Sequence, residues 1–171
     1  MLNPPASPLK FPRLLLTGAG GNLGKELRPR LKAYCDVLRV SHRSDLCATA
    51  PGEEVMLASL ENKEQMMALM QGVDAVVHMG GVSTEQPWDP ILASNIVGMV
   101  NLYEAARLQA TKRIVFASSN HVTGFYRQDE VVNTKMPPKP DGFYGLSKAF
   151  GEDLAELYWA RWGIETVSLR I

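Results

Sequence analysis

Cysteine is scarce in this sequence. Cys35 and Cys47 are the only two among 171 residues. That is too few for a disulfide framework, and no set of residues has metal-ligand spacing. The three histidines, His42, His78 and His121, are scattered. Net charge is missing as well: 18 Lys plus Arg balance 18 Asp plus Glu. Nucleic acid or an anionic membrane would call for a basic surface, so neither is expected as a partner. No apolar run reaches the roughly 20 residues of a membrane-spanning helix. The N-terminus, MLNPPASPLKFP, lacks the apolar centre of a signal peptide. The expectation is a cytoplasmic protein with a flexible leader over residues 1–12, where Pro4, Pro5, Pro8 and Pro12 cluster.

What is present is ordinary globular material, 46% hydrophobic and 21% charged, in a chain long enough for one domain with a real core. Short apolar runs alternate with amphipathic stretches. RLLLT (13–17), DVLRVS (36–41), EVMLA (54–58), DAVVHM (74–79), KRIVFASS (112–119) and IETVSLRI (164–171) read as six strands. Between them lie a helix carrying Leu23, Leu27 and Leu31, which Pro29 should kink or shorten, and a helix with Met66, Met67, Leu69 and Met70. A long apolar helix over 91–109 and another over 143–162, ended by Gly163, complete the pattern. The methionines read as core filling. Strands that are almost wholly apolar and alternate with helices imply an α/β fold: a doubly wound parallel sheet with helices on both faces. No internal repeat or low-complexity block interrupts it.

TGAGGNLG (17–24) follows the first strand and opens the first helix. Gly18, Gly21 and Gly24 allow a tight turn and a close backbone approach to a pyrophosphate, and the helix N-terminus adds unpaired N–H groups and a positive dipole end. A dinucleotide site usually carries an acid at the end of the second strand to hold the ribose hydroxyls. SHRSD (41–45) stands there instead. His42 or Arg43 in that place could hold a 2′-phosphate, an exposed loop arginine satisfies the same sequence, and Asp45 is near enough to swing in. The cofactor is therefore NAD or NADP.

Tyr144 and Lys148 are one helical turn apart and share a face. A free phenol has a pKa of about 10, too high for a base at neutral pH, and a neighbouring cation lowers it. With an oxidised nicotinamide beside it, the tyrosine becomes a proton acceptor, and Lys148 can also bind the ribose. Ser118 or Ser119, at the end of the preceding strand, could orient the substrate oxygen.

The glycine turn, Ser118–Ser119 and Tyr144–Lys148 together resemble an extended short-chain dehydrogenase/reductase. HMGGVSTEQPW (78–88), NIVGMVNLYEAAR (95–107), RIVFASSNHVTGFY (113–126) and PDGFYGLSKAFGEDLA (140–155) are similar to the uronate dehydrogenase branch. The resemblance implies a Rossmann fold and oxidation of the anomeric carbon of glucuronate or galacturonate to an aldarolactone. It implies Tyr144, Lys148 and Ser119 as catalytic residues. It places Gly18, Gly21, Asn22, Leu23, Gly24, His42, Arg43, Ser59, Leu60, Met79, Gly80, Gly81 and Asn95 at the cofactor, with Tyr144 and Lys148. It places Ser83, Ser119, Asn120, His121 and Arg170 at the sugar acid, Arg170 as a bidentate partner of its carboxylate. His78 reads as a packed strand residue. The sequence departs from the branch where His42 and Ser59 replace acids and where it stops at Ile171, so the expectation is a dinucleotide-binding domain over 13–171 lacking the part that closes the substrate pocket. Apolar surface left uncovered would favour association, so a homo-oligomer is possible. A nucleotide-sugar epimerase or dehydratase, or a non-catalytic dinucleotide-binding module, shares the same glycine turn.

Overall fold

The computed structural model describes residues 10–44, 46 and 50–171. Cys47, Asp45 and most of the expected leader lie outside the described residues. β1 (Phe11–Thr17) starts two residues before the RLLLT run, so Phe11 and Pro12, counted above with the leader, are strand residues. Leu14, Leu15 and Leu16 are all buried because this strand is covered on both faces. α1 (Asn22–Leu31) contains Pro29 and ends two residues after it, giving way to a 3₁₀ turn (Lys32–Tyr34). The missing proline N–H shortens the helix rather than bending its middle.

β2 (Cys35–His42), β3 (Glu53–Leu57), α2 (Lys63–Met70) and β4 (Ala75–His78) follow. The sequence pattern predicts one helix over 91–109. The structure starts earlier, with α3 (Trp88–Ile91), passes through a π-helical segment (Leu92–Val97) and continues as α4 (Gly98–Leu108). β5 (Arg113–Ser118), a 3₁₀ turn (Asn120–Thr123), α5 (Phe143–Trp162) and β6 (Glu165–Arg170) complete the chain. Gly163 ends α5 at φ 68°, the left-handed conformation that glycine adopts without a Cβ penalty.

The six strands form one sheet in the order β3-β2-β1-β4-β5-β6, and every pairing is parallel. Alternate residues of each strand feed two cores. Leu15, Val76, Ile114 and Phe116 pack with α2, α4 and α5 residues such as Met66, Leu102, Tyr103 and Tyr158. Leu14, Leu16, Leu38, Val40 and Val77 form the opposite core, with Leu27 and Leu31 of α1 against it. Each fully buried leucine contributes about 1.5–3 kcal/mol. Strand order reverses between β1 and β4. The carboxyl ends of two such neighbouring strands are the place where open α/β sheets bind ligands. No described helix is long and apolar enough to cross a membrane.

Candidate active site

The groove begins at the glycine turn. Gly18 has φ 67°, and a Cβ there would lie 2.6 Å from the carbonyl carbon and oxygen of Met79. A Cβ at Gly24 would lie 2.1 Å from the Gly18 carbonyl oxygen. The turn is thus pressed against both the loop after β4 and its own helix. Gly21 stands at the N-terminus of α1, and no side chain caps that end. The first N–H groups, at Asn22 and Leu23, are therefore placed for an anion. Thr17 joins the ends of β1 and β4: its hydroxyl accepts from the Gly80 N–H at 3.2 Å and pairs with His78 Nδ1 at 2.7 Å. His78 is buried, and burial pulls it down to about 3, so it packs as a neutral strand residue.

From this turn a cleft of about 540 Å³ runs toward the ends of β2 and β3, lined by Gly18, His42, Arg43, Ser59, Leu60 and Met79 to Thr84. The same Met79–Thr84 segment walls a second cleft of about 400 Å³, with Leu23, Ser119, Asn120, His121, Tyr144 and Lys148. The two clefts share that wall and form one groove across the strand ends. Ser83 lies on both parts.

Tyr144 and Lys148 sit on the first turns of α5, only 9% and 6% exposed. The Lys148 ammonium donates to the Ala117 carbonyl at 2.8 Å and lies 5.5 Å from the centre of the Tyr144 ring. Burial pulls the lysine down to about 8, which still leaves it mostly charged at neutral pH. The His121 ring meets the Tyr144 ring edge-on at 5.6 Å, and its Nδ1 lies 2.9 Å from Asp141. Ser119 is buried at the start of the 3₁₀ turn and caps it: its hydroxyl accepts from the His121 N–H at 3.3 Å and has longer contacts of 3.4 Å to the Asn120 side chain and to the Ile171 carbonyl.

Several residues that the sequence reading did not single out, or singled out for another role, hold this end in place. α5 has Gly142 at its N-cap and no capping side chain of its own. Glu85, from the loop after β4, supplies the cap: one carboxylate oxygen accepts from the Phe143 N–H at 3.0 Å and the other from the Tyr144 N–H at 2.9 Å. Asn95, expected at the cofactor, instead bridges the loop and the helix. Its amide donates to the Val82 carbonyl at 3.0 Å and to Ser147 Oγ at 2.9 Å, and its oxygen accepts from the Val82 N–H at 2.8 Å. Ser147 in turn donates to the Tyr144 carbonyl at 2.7 Å. Asn95 lies within the π-helical segment that interrupts the expected continuous helix. An N-cap without a polar side chain was the one sequence signal that a cap must come from elsewhere. It could not say from where.

Arg170 does not reach this groove. Its guanidinium makes a bidentate pair with Glu152 of α5, at 2.9 and 2.7 Å, and Glu152 also accepts from Ser118 Oγ at 2.5 Å. Arg170 is in register with Ser118, and both side chains turn to α5 rather than to the strand ends. The fork that could have held a substrate carboxylate holds an internal one.

The strand order, the Cβ-excluding glycine turn and the groove across the strand ends define a Rossmann-type fold, with the buried Tyr144–Lys148 pair of α5 on that groove. The chain belongs to the NAD dependent epimerase/dehydratase family, which matches residues 14–171. It is similar to the uronate dehydrogenase of Pseudomonas putida, with 56% identity over 94% of this chain and 60% of that protein. Among solved structures it resembles a glucuronic acid dehydrogenase from Chromohalobacter salexigens, at 46% identity and a TM-score of 0.91 over 93% of this chain and 58% of that one. It also resembles a mutant uronate dehydrogenase from Agrobacterium tumefaciens complexed with NAD, at 46% identity and a TM-score of 0.89 over 91% and 59%. The chain spans about 60% of the length of the curated uronate dehydrogenases it matches.

Proposed function

We propose that this chain carries the dinucleotide-binding and catalytic half of an oxidoreductase that oxidises C1 of glucuronate or galacturonate to an aldarolactone. The buried Tyr144–Lys148 pair, on a groove that also presents Ser119, carries this reading. The turn fits a dinucleotide, because Gly18 and Gly24 clear the space that side chains would fill and the uncapped start of α1 faces it. Asn22 and Leu23 offer N–H groups to the pyrophosphate, and Met79, Gly80 and Gly81 wall the groove between its two ends. When bound, NAD(P) supplies the hydride acceptor for C1. Tyr144 takes the proton of the C1 hydroxyl as the C1–H electron pair leaves, and the C1=O of the lactone forms. Lys148, whose ammonium lies 5.5 Å from the centre of the Tyr144 ring, binds the nicotinamide ribose. Ser119 hydrogen-bonds the reacting oxygen, while Ser83, Asn120 and His121 hold the remaining hydroxyls.

The test follows absorbance of reduced cofactor with each sugar acid and with NAD or NADP. Turnover is expected, and Tyr144→Phe should lower it about 10²–10⁴-fold while the dinucleotide still binds. Binding without turnover on either sugar rejects the reading.

A further inference from the structure

The adenosine end of the groove departs from the pattern expected for NAD. A carboxylate after the second strand normally accepts from the ribose hydroxyls. Here β2 ends on His42, Arg43 follows, and both line the cleft. The acid on this wall is Glu61, which comes after β3. The His42 ring lies against the glycine turn: a Cβ at Gly20 would come 2.8 Å from its Cδ2. Arg43 is exposed and, among the described residues, has no hydrogen bond, ion pair or ring contact. Every other arginine has one. Arg13 and Arg39 share Glu54, Arg28 binds Glu53, and Arg30, Arg107, Arg113, Arg127 and Arg170 each hold a carboxylate. Arg161 lies over the Trp162 ring. Among the described residues, the one guanidinium left unengaged stands at the end of β2, where a ribose 2′-substituent would be.

We infer that His42 and Arg43 form a subsite for a phosphate monoester on the adenosine ribose, so that the chain binds NADP(H) in preference to NAD(H). This rests on reading the groove as a dinucleotide site. A guanidinium matches a phosphate bidentately, and imidazole adds a donor from the turn side. Lys25, on the first turn of α1, adds positive potential: after burial, the charges of Arg43 and Lys25 hold His42 below its ordinary value. A dianion arriving between these groups relieves their mutual repulsion. An unphosphorylated ribose leaves that repulsion in place.

Equilibrium titration of the chain with NADPH and with NADH, at about 0.1 M ionic strength so that screening is fixed, tests this. NADPH is expected to bind about 10–100-fold more tightly, the size of one or two charge-assisted hydrogen bonds. Arg43→Ala should weaken NADPH about tenfold more than it weakens NADH, and 2′,5′-ADP should compete better than ADP. Equal or tighter binding of NADH, or an Arg43→Ala change that weakens both nucleotides alike, overturns the subsite and leaves the dinucleotide groove standing. If neither nucleotide binds, the dinucleotide reading falls with it.

Discussion

The two ends of the groove are built differently. At the end that carries Tyr144 and Lys148, groups from four parts of the chain converge. Glu85 holds the first N–H groups of α5, Asn95 ties Val82 to Ser147, Ser147 holds Tyr144, and Ala117 holds Lys148. At the adenosine end, His42 rests on the turn and Arg43 points out unpartnered among the described residues. The proposed proton transfer would demand that Tyr144 and the substrate C1 be placed within a fraction of an ångström. Recognition of a charge tolerates a mobile side chain, because a Coulomb interaction falls off slowly with distance. The first end is therefore stabilised by the fold and contributes to its stability. The second carries little of it.

The glycine turn and the Met79–Thr84 wall between them should be the most sensitive point. Gly24→Ala would press a methyl group into the Gly18 carbonyl. It should cost about 1–3 kcal/mol of stability and abolish nucleotide binding, read by thermal melting and titration; an unshifted melt with normal binding would show that the turn is not closed against α1. Asn95→Ala removes the partner of the part-buried Val82 N–H and carbonyl and one of the two hydrogen bonds of the buried Ser147 hydroxyl. It should cost about 1–3 kcal/mol and lower kcat more than it weakens nucleotide binding, because it loosens α5 and not the turn.

Acid should act at the end of β4, just before that wall. His78 is held neutral down to about 3 in the folded chain, against 6.5 for the free side chain. The unfolded chain then binds the proton that the folded chain refuses, so stability is full above pH 6.5 and declines as pH falls from there toward 3. Glu53 and Glu104, held near 2 chiefly by Arg28 and by Arg107, add the same sign of loss below about pH 4.5. Replacing His78 with Asn should flatten the stability curve between pH 6.5 and 4.5 in chemical denaturation. An unchanged slope there would mean that other groups set it.

The smallest effects sharpen the contrast. Glu85→Ala removes an N-cap and should cost about 1 kcal/mol, with a fall in kcat that Glu85→Gln partly restores. Arg43→Ala should change stability by less than about 0.5 kcal/mol, although it alters nucleotide preference. Equal stability losses from these two replacements would erase the distinction between the ends.

Much of this was legible before the fold was known. The run Leu14–Leu16 and the apolar DAVVHM segment marked buried parallel strands, because a strand covered on both faces has no polar side to show. Gly18, Gly21 and Gly24 marked the turn. What escaped was the set of partners. The π-helical segment around Asn95 reads in sequence as uninterrupted helix, since six residues are too few to show a change of period against the helix on either side. Arg170, at the end of a strand, carries the right chemistry for a carboxylate, and nothing local shows that Glu152 already occupies it.

The sequence by itself determined the sheet, the glycine turn and the pairing of Tyr144 with Lys148. Each depends on backbone geometry that repeats over two to four residues. Only the tertiary structure decided which groups those residues would meet. Glu85 reaches Phe143 across 58 positions, Asn95 reaches Ser147 across 52, and Glu152 claims Arg170 across 18. Such partners are chosen by whichever polar groups folding buries within about 3 Å of each other, and that choice belongs to the packed chain and not to any local stretch of it.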